Sequence, residues 1–166
     1  MMLKRINSDS RGFTIIEIVV VLVLISIIAA SVFQRSISTD QMNFRSQFDK
    51  IQNQMRYPQS MAMKRGEPWG FSCDTNNYWI FTGTNETIVA NRRLLPGQTD
   101  TLISLNDLGV SMSMGGNPFT VIFDRYGIPY YPDETTPLAA DLVVDLTDSG
   151  SESRSFTIVP ETGLIR

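Results

Sequence analysis

The sequence predicts an α+β protein in which one long N-terminal helix packs on an antiparallel β-sandwich head. Three observations predict this class. Residues 13–33 form an apolar run in which Glu17 is the only charge. Apolar residues then recur at gaps of three, four or seven as far as Ala62, which is the spacing of an amphipathic helix. From Glu67 onward, apolar and polar residues alternate between turn residues, as in short antiparallel strands.

Composition limits the chemistry that the chain can perform. Its 166 residues include no histidine and one cysteine, Cys73, and the formal net charge is −3. Without imidazole there is no Ser-His-Asp or Cys-His nucleophile system. One cysteine permits neither an internal disulfide nor a metal site made of cysteines, and no Gly-rich phosphate loop is present. We therefore predict a structural protein, not an enzyme, with no cofactor and no bound metal.

The apolar run has the length of a membrane span. At about 1.5 Å per residue, a helix over residues 13–33 reaches roughly 30 Å, the thickness of the hydrocarbon core of a bilayer. The leader before it, residues 1–12, carries three cations and one anion, so this end is expected to stay in the cytoplasm. We therefore predict a single-pass membrane protein whose C-terminal head lies on the other side of the membrane.

Two ordinary interpretations of this run stay open. It could be a signal anchor, or it could be a cleaved signal peptide, because Ala29-Ala30-Ser31 offers small residues to signal peptidase. Neither interpretation explains Glu17, since a carboxylate near the membrane centre costs roughly 2.5–3.5 kcal/mol on insertion scales. An ionisable residue inside a span is a candidate functional residue that needs a partner.

The segment Arg11-Gly12-Phe13-Thr14-Ile15-Ile16-Glu17 resembles the N-terminal signal of the type IV pilin and pseudopilin family. Members of that family carry a short basic leader ending in Gly, then Phe, and a Glu before a long apolar helix. The resemblance implies that a prepilin peptidase cuts between Gly12 and Phe13 and methylates the new amino terminus of Phe13. Such an amine is a cation near pH 7, and it could pair with the Glu17 carboxylate of a neighbouring subunit.

Patterning and resemblance together divide the chain into four parts. These are a prepilin leader at 1–12, a transmembrane and assembly helix at 13–34, an amphipathic helix at 35–66 and a β-rich periplasmic head at 67–166. The resemblance implies that the partners are other pilins or pseudopilins, prepilin peptidase, an inner-membrane assembly platform and, in a secretion system, a secreted protein substrate. It places the protein in the bacterial inner membrane and then in a fibre.

Three later segments resemble the H-type minor pseudopilins of type II secretion and the related FimT- and MSHA-type minor pilins. They are residues 59–68, 121–127 and 156–166. This resemblance implies a minor subunit of a type IV pilus-like or type II secretion fibre, at the fibre tip. The alternative is an adhesive or DNA-capturing tip subunit. Nucleic acid is the less favoured partner, because side chains after the leader carry 11 cations against 16 anions.

The head is predicted to contain short strands at residues 69–73, 78–82, 87–95, 101–105, 110–114, 119–123, 142–146, 154–159 and 164–165. The helix before them is predicted to end at Lys64-Arg65-Gly66, where cations complement the helix dipole and glycine provides a C-cap. Because a proline removes one helical hydrogen bond, we expect a kink or a restart of the helix just before Pro58.

Several other residues have two interpretations. Aromatic residues of the first two predicted strands could form an exposed stacking platform for nucleic acid or sugar, although alternate strand positions favour core packing. These residues are Trp69, Phe71, Tyr78, Trp79 and Phe81. Arg92, Arg93 and Arg154 could contact phosphates. Cys73 is expected to be a small buried apolar residue, although a periplasmic thiol could pair between chains.

Acidic residues near the C-terminus could bind calcium, but their spacing is not diagnostic of a calcium loop. These residues are Asp133, Glu134, Asp141, Asp145 and Asp148. We therefore expect a solvated acidic surface there.

Overall fold

The computed structural model describes residues 14–132, 136–150 and 152–166, with the backbone alone for residues 31–41. The chain divides into two compact units, residues 1–40 and residues 41–166. We call the second unit the head unit, and we call residues 14–30 the stem segment.

One helix, α1, runs over Ile15–Arg65, as predicted for the N-terminal half of the chain. It ends where Gly66 takes a left-handed conformation, with φ of 70°, and donates its N–H to Ala62 O at 2.9 Å. The helix continues through Pro58, so the predicted restart before this proline is wrong, whereas the alternative kink stays a prediction. Pro58 is buried between turns that place Met55 and Ala62 in the core, and we attribute the continuity to that packing.

The stem segment is apolar apart from Thr14, Glu17 and Ser26. Every described side chain from residue 14 to residue 30 is exposed, including the aliphatic side chains from Ile15 to Ile28. Among the described residues, no helix is long and apolar enough to cross a membrane. The transmembrane role of residues 13–34 stays a prediction.

The head unit places two antiparallel sheets after the second half of α1. In chain order its further elements are β1 (Trp69–Cys73), β2 (Asn77–Thr82), a 3-10 turn (Val89–Asn91), β3 (Arg92–Arg93), β4 (Ile103–Ser104), α2 (Leu105–Leu108), β5 (Val110–Ser113), β6 (Phe119–Phe123), β7 (Pro129–Tyr130), β8 (Leu142–Asp148) and β9 (Ser153–Ile158). The first sheet has the order β3-β2-β1-β6-β7, with β4 also paired to β2. The second has the order β5-β8-β9.

Most predicted strands are confirmed within two residues of their bounds. The segments predicted at 87–95 and 101–105 each contain a strand of only two residues, β3 and β4. The 3-10 turn occupies part of the first segment. Ser104 ends the second segment because its side chain accepts a hydrogen bond from the N–H of Asp107 at 3.1 Å and caps α2. The predicted strand at 164–165 is a single bridge between Ile158 and Ile165.

One hydrophobic core joins the second half of α1 to both sheets, which confirms the α+β class. The predicted apolar stripe points into it through Phe44, Phe48, Ile51, Met55 and Ala62, all of them buried. Phe48 meets Phe156 of β9 with ring centroids 5.8 Å apart and the rings inclined at 68°. A smaller cluster of Trp79, Phe81 and Ile122 covers the opposite face of the first sheet.

Candidate assembly site

The start of α1 is built around Thr14 and Glu17. Thr14 precedes the helix and its Oγ1 accepts a hydrogen bond from the N–H of Glu17 at 3.3 Å. The two residues therefore occupy the first and last positions of a T-x-x-E capping box, in which a carboxylate also complements the positive end of the helix dipole. Sequence reasoning missed this role of Thr14, although the T-x-x-E spacing before an apolar run signals it.

Glu17 is exposed and lies on an apolar surface. A shallow groove of about 280 Å³ is lined by Glu17, Ile18, Val21 and Leu22. Ile18 and Val21 are 52% and 47% exposed, so the groove is open to a neighbouring chain. No ion pair joins the Glu17 carboxylate to another of the described residues. Gly12 and Phe13, the predicted cleavage and methylation positions, lie outside the described residues.

In the head unit, Gln59 of α1 joins segments that are far apart in sequence. Its Nε2 donates to Gly127 O at 3.1 Å and to Thr162 O at 3.0 Å. One turn earlier, Arg56 Nη2 donates to Ile165 O at 2.7 Å. Gln59, Gly127 and Thr162 lie in residues 59–68, 121–127 and 156–166 respectively, so the structure brings these three segments together. We call Gln59, Gly127 and Thr162, with the adjoining Gly163, the Gln59 junction.

Two tight turns form the other sides of this junction. In the first, Asp124 Oδ1 accepts hydrogen bonds from the N–H groups of Tyr126 and Ile128 at 2.8 and 2.9 Å. Gly127 lies inside this turn with φ of 80°. In the second turn, Gly163 has φ of 64°, and a Cβ built on it would overlap the Gly127 carbonyl oxygen. Both glycines are needed for backbone conformation, and Gly163 also for close approach.

The aromatic residues proposed as an exposed platform are buried instead. Trp69, Phe71, Tyr78 and Phe81 are at most 2% exposed, and Trp79 is 8% exposed. The preferred interpretation as core residues is therefore confirmed. Trp69, Phe71 and Tyr78 belong to the core that α1 shares, whereas Trp79 and Phe81 pack with Ile122 on the other face of the first sheet.

The arginines considered as phosphate contacts are engaged within their own chain, two of them on aromatic rings. The guanidinium carbon of Arg92 is 4.7 Å from the centroid of the Trp79 ring, and that of Arg154 is 5.5 Å from the centroid of Phe48. Arg93 donates to Ala90 O at 2.8 Å. Arg92 and Arg93 form β3 of the first sheet and Arg154 lies in β9 of the second, so the three arginines do not belong to one sheet.

Among the described residues, the acidic set near the C-terminus is engaged locally. Asp141 forms an ion pair with Arg166 at 3.2 Å, and Asp145 accepts a hydrogen bond from Ser155 at 2.7 Å. Asp148 Oδ1 accepts from the N–H of Glu152. Asp133 and Glu134 lie outside the described residues. In the described ranges, no group of three or more histidine, cysteine or acidic residues could hold a metal ion.

Cys73 is a free, buried thiol at the end of β1, as expected for a small apolar residue. Its Sγ–H lies 3.1 Å from Asp74 O, within reach to donate a hydrogen bond. Burial, and secondarily the Asp74 carboxylate, raises the pKa of the Cys73 thiol to about 12. Burial also raises the pKa of the Tyr78 hydroxyl, which donates to Gln54 Oε1 at 2.6 Å.

These two pKa shifts predict that the protein loses stability at alkaline pH. Both groups stay neutral in the folded chain, whereas in the unfolded chain they ionise near their ordinary pKa values of 9.0 and 10.0. Between pH 9 and 12 the unfolded state therefore binds fewer protons, and the free energy of unfolding falls by up to about 1.4 kcal/mol per pH unit for each group. Chemical unfolding followed across this range measures the slope.

The control for this prediction is Cys73→Ala, which removes one of the two titrating groups. We expect this variant to lose less stability per pH unit than the parent, whatever its stability at neutral pH. A free energy of unfolding that stays constant up to pH 11 would contradict the assignment of both groups.

Comparison with known proteins bears on the N-terminal segment alone. Residues 7–33 match the sequence profile of the prokaryotic N-terminal methylation motif. This motif is the type IV pilin-like signal, and it indicates a type IV pilin-like precursor that is processed by prepilin peptidase and assembles with other pilins. The motif is typical of structural pilin-type subunits. No curated protein and no solved structure matches the chain significantly.

Proposed function

We propose that the chain is a minor pilin or pseudopilin, a membrane-anchored structural subunit of a type IV pilus-like or type II secretion fibre. The methylation motif at residues 7–33 is the observation that carries the proposal. The stem segment supports it, because an apolar helix exposed on all sides requires lipid or other helices around it. The head unit supports it too, because its core lies entirely within residues 44–165 and includes no residue of the stem segment.

The assembly step requires a charge partner for Glu17. Cleavage between Gly12 and Phe13 would create an α-amine four residues before this carboxylate, with an ordinary pKa near 8. In a bundle of parallel helices staggered along their axis, the amine of one subunit reaches the Glu17 of its neighbour. The open groove beside Glu17 provides apolar surface for that neighbour. Each charge neutralises the other inside the helix bundle, where an unpaired charge would be costly. The pair therefore fixes the axial stagger between neighbouring subunits more than it adds net stability.

A minor, tip-located role is the more specific part of the proposal. It is supported by the resemblance of the three segments that meet at the Gln59 junction. It is also supported by Gln34, since major pilins usually carry proline at the corresponding position. The adhesive or DNA-capturing alternative has less support, because Arg92 and Arg154 lie against rings of their own chain.

Blocking the peptidase site tests the processing step. We expect Gly12→Val to leave the full-length precursor in the membrane of cells that contain a prepilin peptidase, because the side chain obstructs the residue before the cut. The parent chain should convert to a shorter product in the same cells. Immunoblotting against the head measures both species. Gly150→Val, which lies outside the motif at a glycine without a left-handed φ, is the control and should be processed normally.

If Gly12→Val is shortened like the parent, cleavage does not depend on this glycine and the proposed processing step is wrong.

A further inference from the structure

A cleft lies on the outer face of the first sheet, on the side away from α1, and we call it the outer cleft. Its floor contains Ser72, Trp79 and Thr120, which are direct neighbours across β2, β1 and β6. The volume is about 490 Å³, and sites for small ligands occupy roughly 300–1,000 Å³. The outer cleft is therefore large enough for a long side chain with part of its backbone.

The polar groups of the outer cleft are rich in hydrogen-bond acceptors. Asp74 and Glu86 line it, and no lysine or arginine is among its described lining residues. Ser72 is 3% exposed, and its Oγ lies 2.8 Å from Thr120 Oγ1. That pair uses one donor and one acceptor, so further lone pairs stay available on both oxygens. A ligand made of donors alone, such as a guanidinium or an ammonium group, fits this lining.

The apolar groups of the outer cleft fit the same kind of ligand. Trp79 and Tyr131 line it, together with two prolines and a methionine, whereas the ring of the lining residue Phe119 stacks on Phe71 in the main core. Long basic side chains carry an apolar stem that such surfaces cover, and cations bind favourably over aromatic rings. Arg92, which does not line the outer cleft, already has its guanidinium carbon 4.7 Å from the centroid of the Trp79 ring. The Trp79 ring thus already binds a guanidinium of its own chain, and the ring face that Arg92 covers is not open to a ligand.

We propose that the outer cleft binds an arginine or lysine side chain of a partner protein. The stem of that side chain packs against the aromatic lining, and its charged end meets the carboxylates of Glu86 and Asp74. Asp74 Oδ1 is occupied by the N–H groups of Asn76 and Asn77, which hold it in place at the end of β1. Glu86 is the better group for a test, since its backbone carbonyl, not its carboxylate, accepts the hydrogen bond from Trp79 Nε1.

Nuclear magnetic resonance of the full-length protein in detergent micelles tests this proposal. The probe is the peptide acetyl-Gly-Arg-Gly-amide, and the comparison peptide replaces arginine with its uncharged isostere citrulline. We expect the arginine peptide to cause saturable shifts of the Trp79 indole N–H and of the Thr87 amide. The citrulline peptide should bind at least tenfold more weakly, because it lacks the charge. Neither measurement depends on cleavage at Gly12 or on fibre formation, so the proposal can fail without affecting the proposed function.

Two variants separate the outer cleft from general surface charge. Glu86→Gln removes one carboxylate of the lining and is expected to weaken binding of the arginine peptide about tenfold. Glu161→Gln, which removes an exposed carboxylate in the C-terminal turn, should leave the affinity unchanged. Equal binding of the two peptides, an absence of saturable shifts, or an affinity that Glu86→Gln leaves unchanged would each overturn the proposal.

Discussion

Glu17→Ala is expected to abolish incorporation of the subunit into a fibre while leaving the protein in the membrane. The reason is electrostatic: the substitution removes the only charged side chain between residues 14 and 30, and with it the proposed partner of the neighbouring Phe13 amine. Insertion itself should not suffer, since removing a carboxylate makes the helix more apolar. The measurement compares the subunit in purified fibres with the subunit in the membrane fraction.

The capping geometry at Thr14 provides a matched set of variants. Alanine at residue 17 removes both the charge and the acidic residue of the capping box, and loss of such helix-terminal interactions costs about 1 kcal/mol. Glu17→Gln removes the charge but can still complete a capping box, and Glu17→Asp keeps a charge. If pairing is the cause, Gln fails like Ala whereas Asp retains part of the incorporation. If Gln is incorporated normally, the role of Glu17 is helix capping and the pairing proposal fails.

Gly163→Ala is expected to destabilise the head unit by about 3 kcal/mol or more. The left-handed conformation alone costs a non-glycine residue roughly 1–2 kcal/mol. In addition, the new Cβ overlaps the Gly127 carbonyl oxygen and lies 2.5 Å from Gln59 Nε2, so backbone atoms of the Gln59 junction must move apart. Equilibrium chemical unfolding of the full-length protein in micelles measures the change in the free energy of unfolding.

Gly97→Ala is the matched control for this prediction. Gly97 has φ of 77°, similar to the 64° of Gly163, but no heavy atom lies within 4 Å of the Cβ built on it. This variant should therefore lose only the conformational part, about 1–2 kcal/mol. If the two variants lose the same free energy, close packing at the Gln59 junction contributes nothing to stability.

The parts of the fold that were predictable from sequence are those fixed by periodicity. The stripe through Phe48, Ile51 and Met55 identified the buried face of α1, and alternation identified strands such as β1 and β6. Pro58 misled the prediction, because local propensity gives a break whereas burial of the surrounding turns keeps the helix continuous. Tertiary packing of this kind is absent from a local sequence pattern.

The candidate site divides in the same way. Glu17 stands out because a lone acid in an apolar run is anomalous whatever the fold. Gln59 does not stand out, because glutamine on a helix is ordinary and its partners, Gly127 and Thr162, lie far away in sequence. The outer cleft was equally hidden: Glu86 and Asp74 come together only through the pairing of β1 and β2 and the loop that follows β2.

The intact mass of the protein purified from cells with a prepilin peptidase is the most direct test of the central proposal. We predict a polypeptide that begins at Phe13 and carries one added methyl group at its amino terminus. A chain that still begins at Met1, as a signal anchor would, or one cleaved after Ser31, as a secreted domain would be, contradicts the proposal. In either case the Phe13 amine would not exist and Glu17 would have no partner.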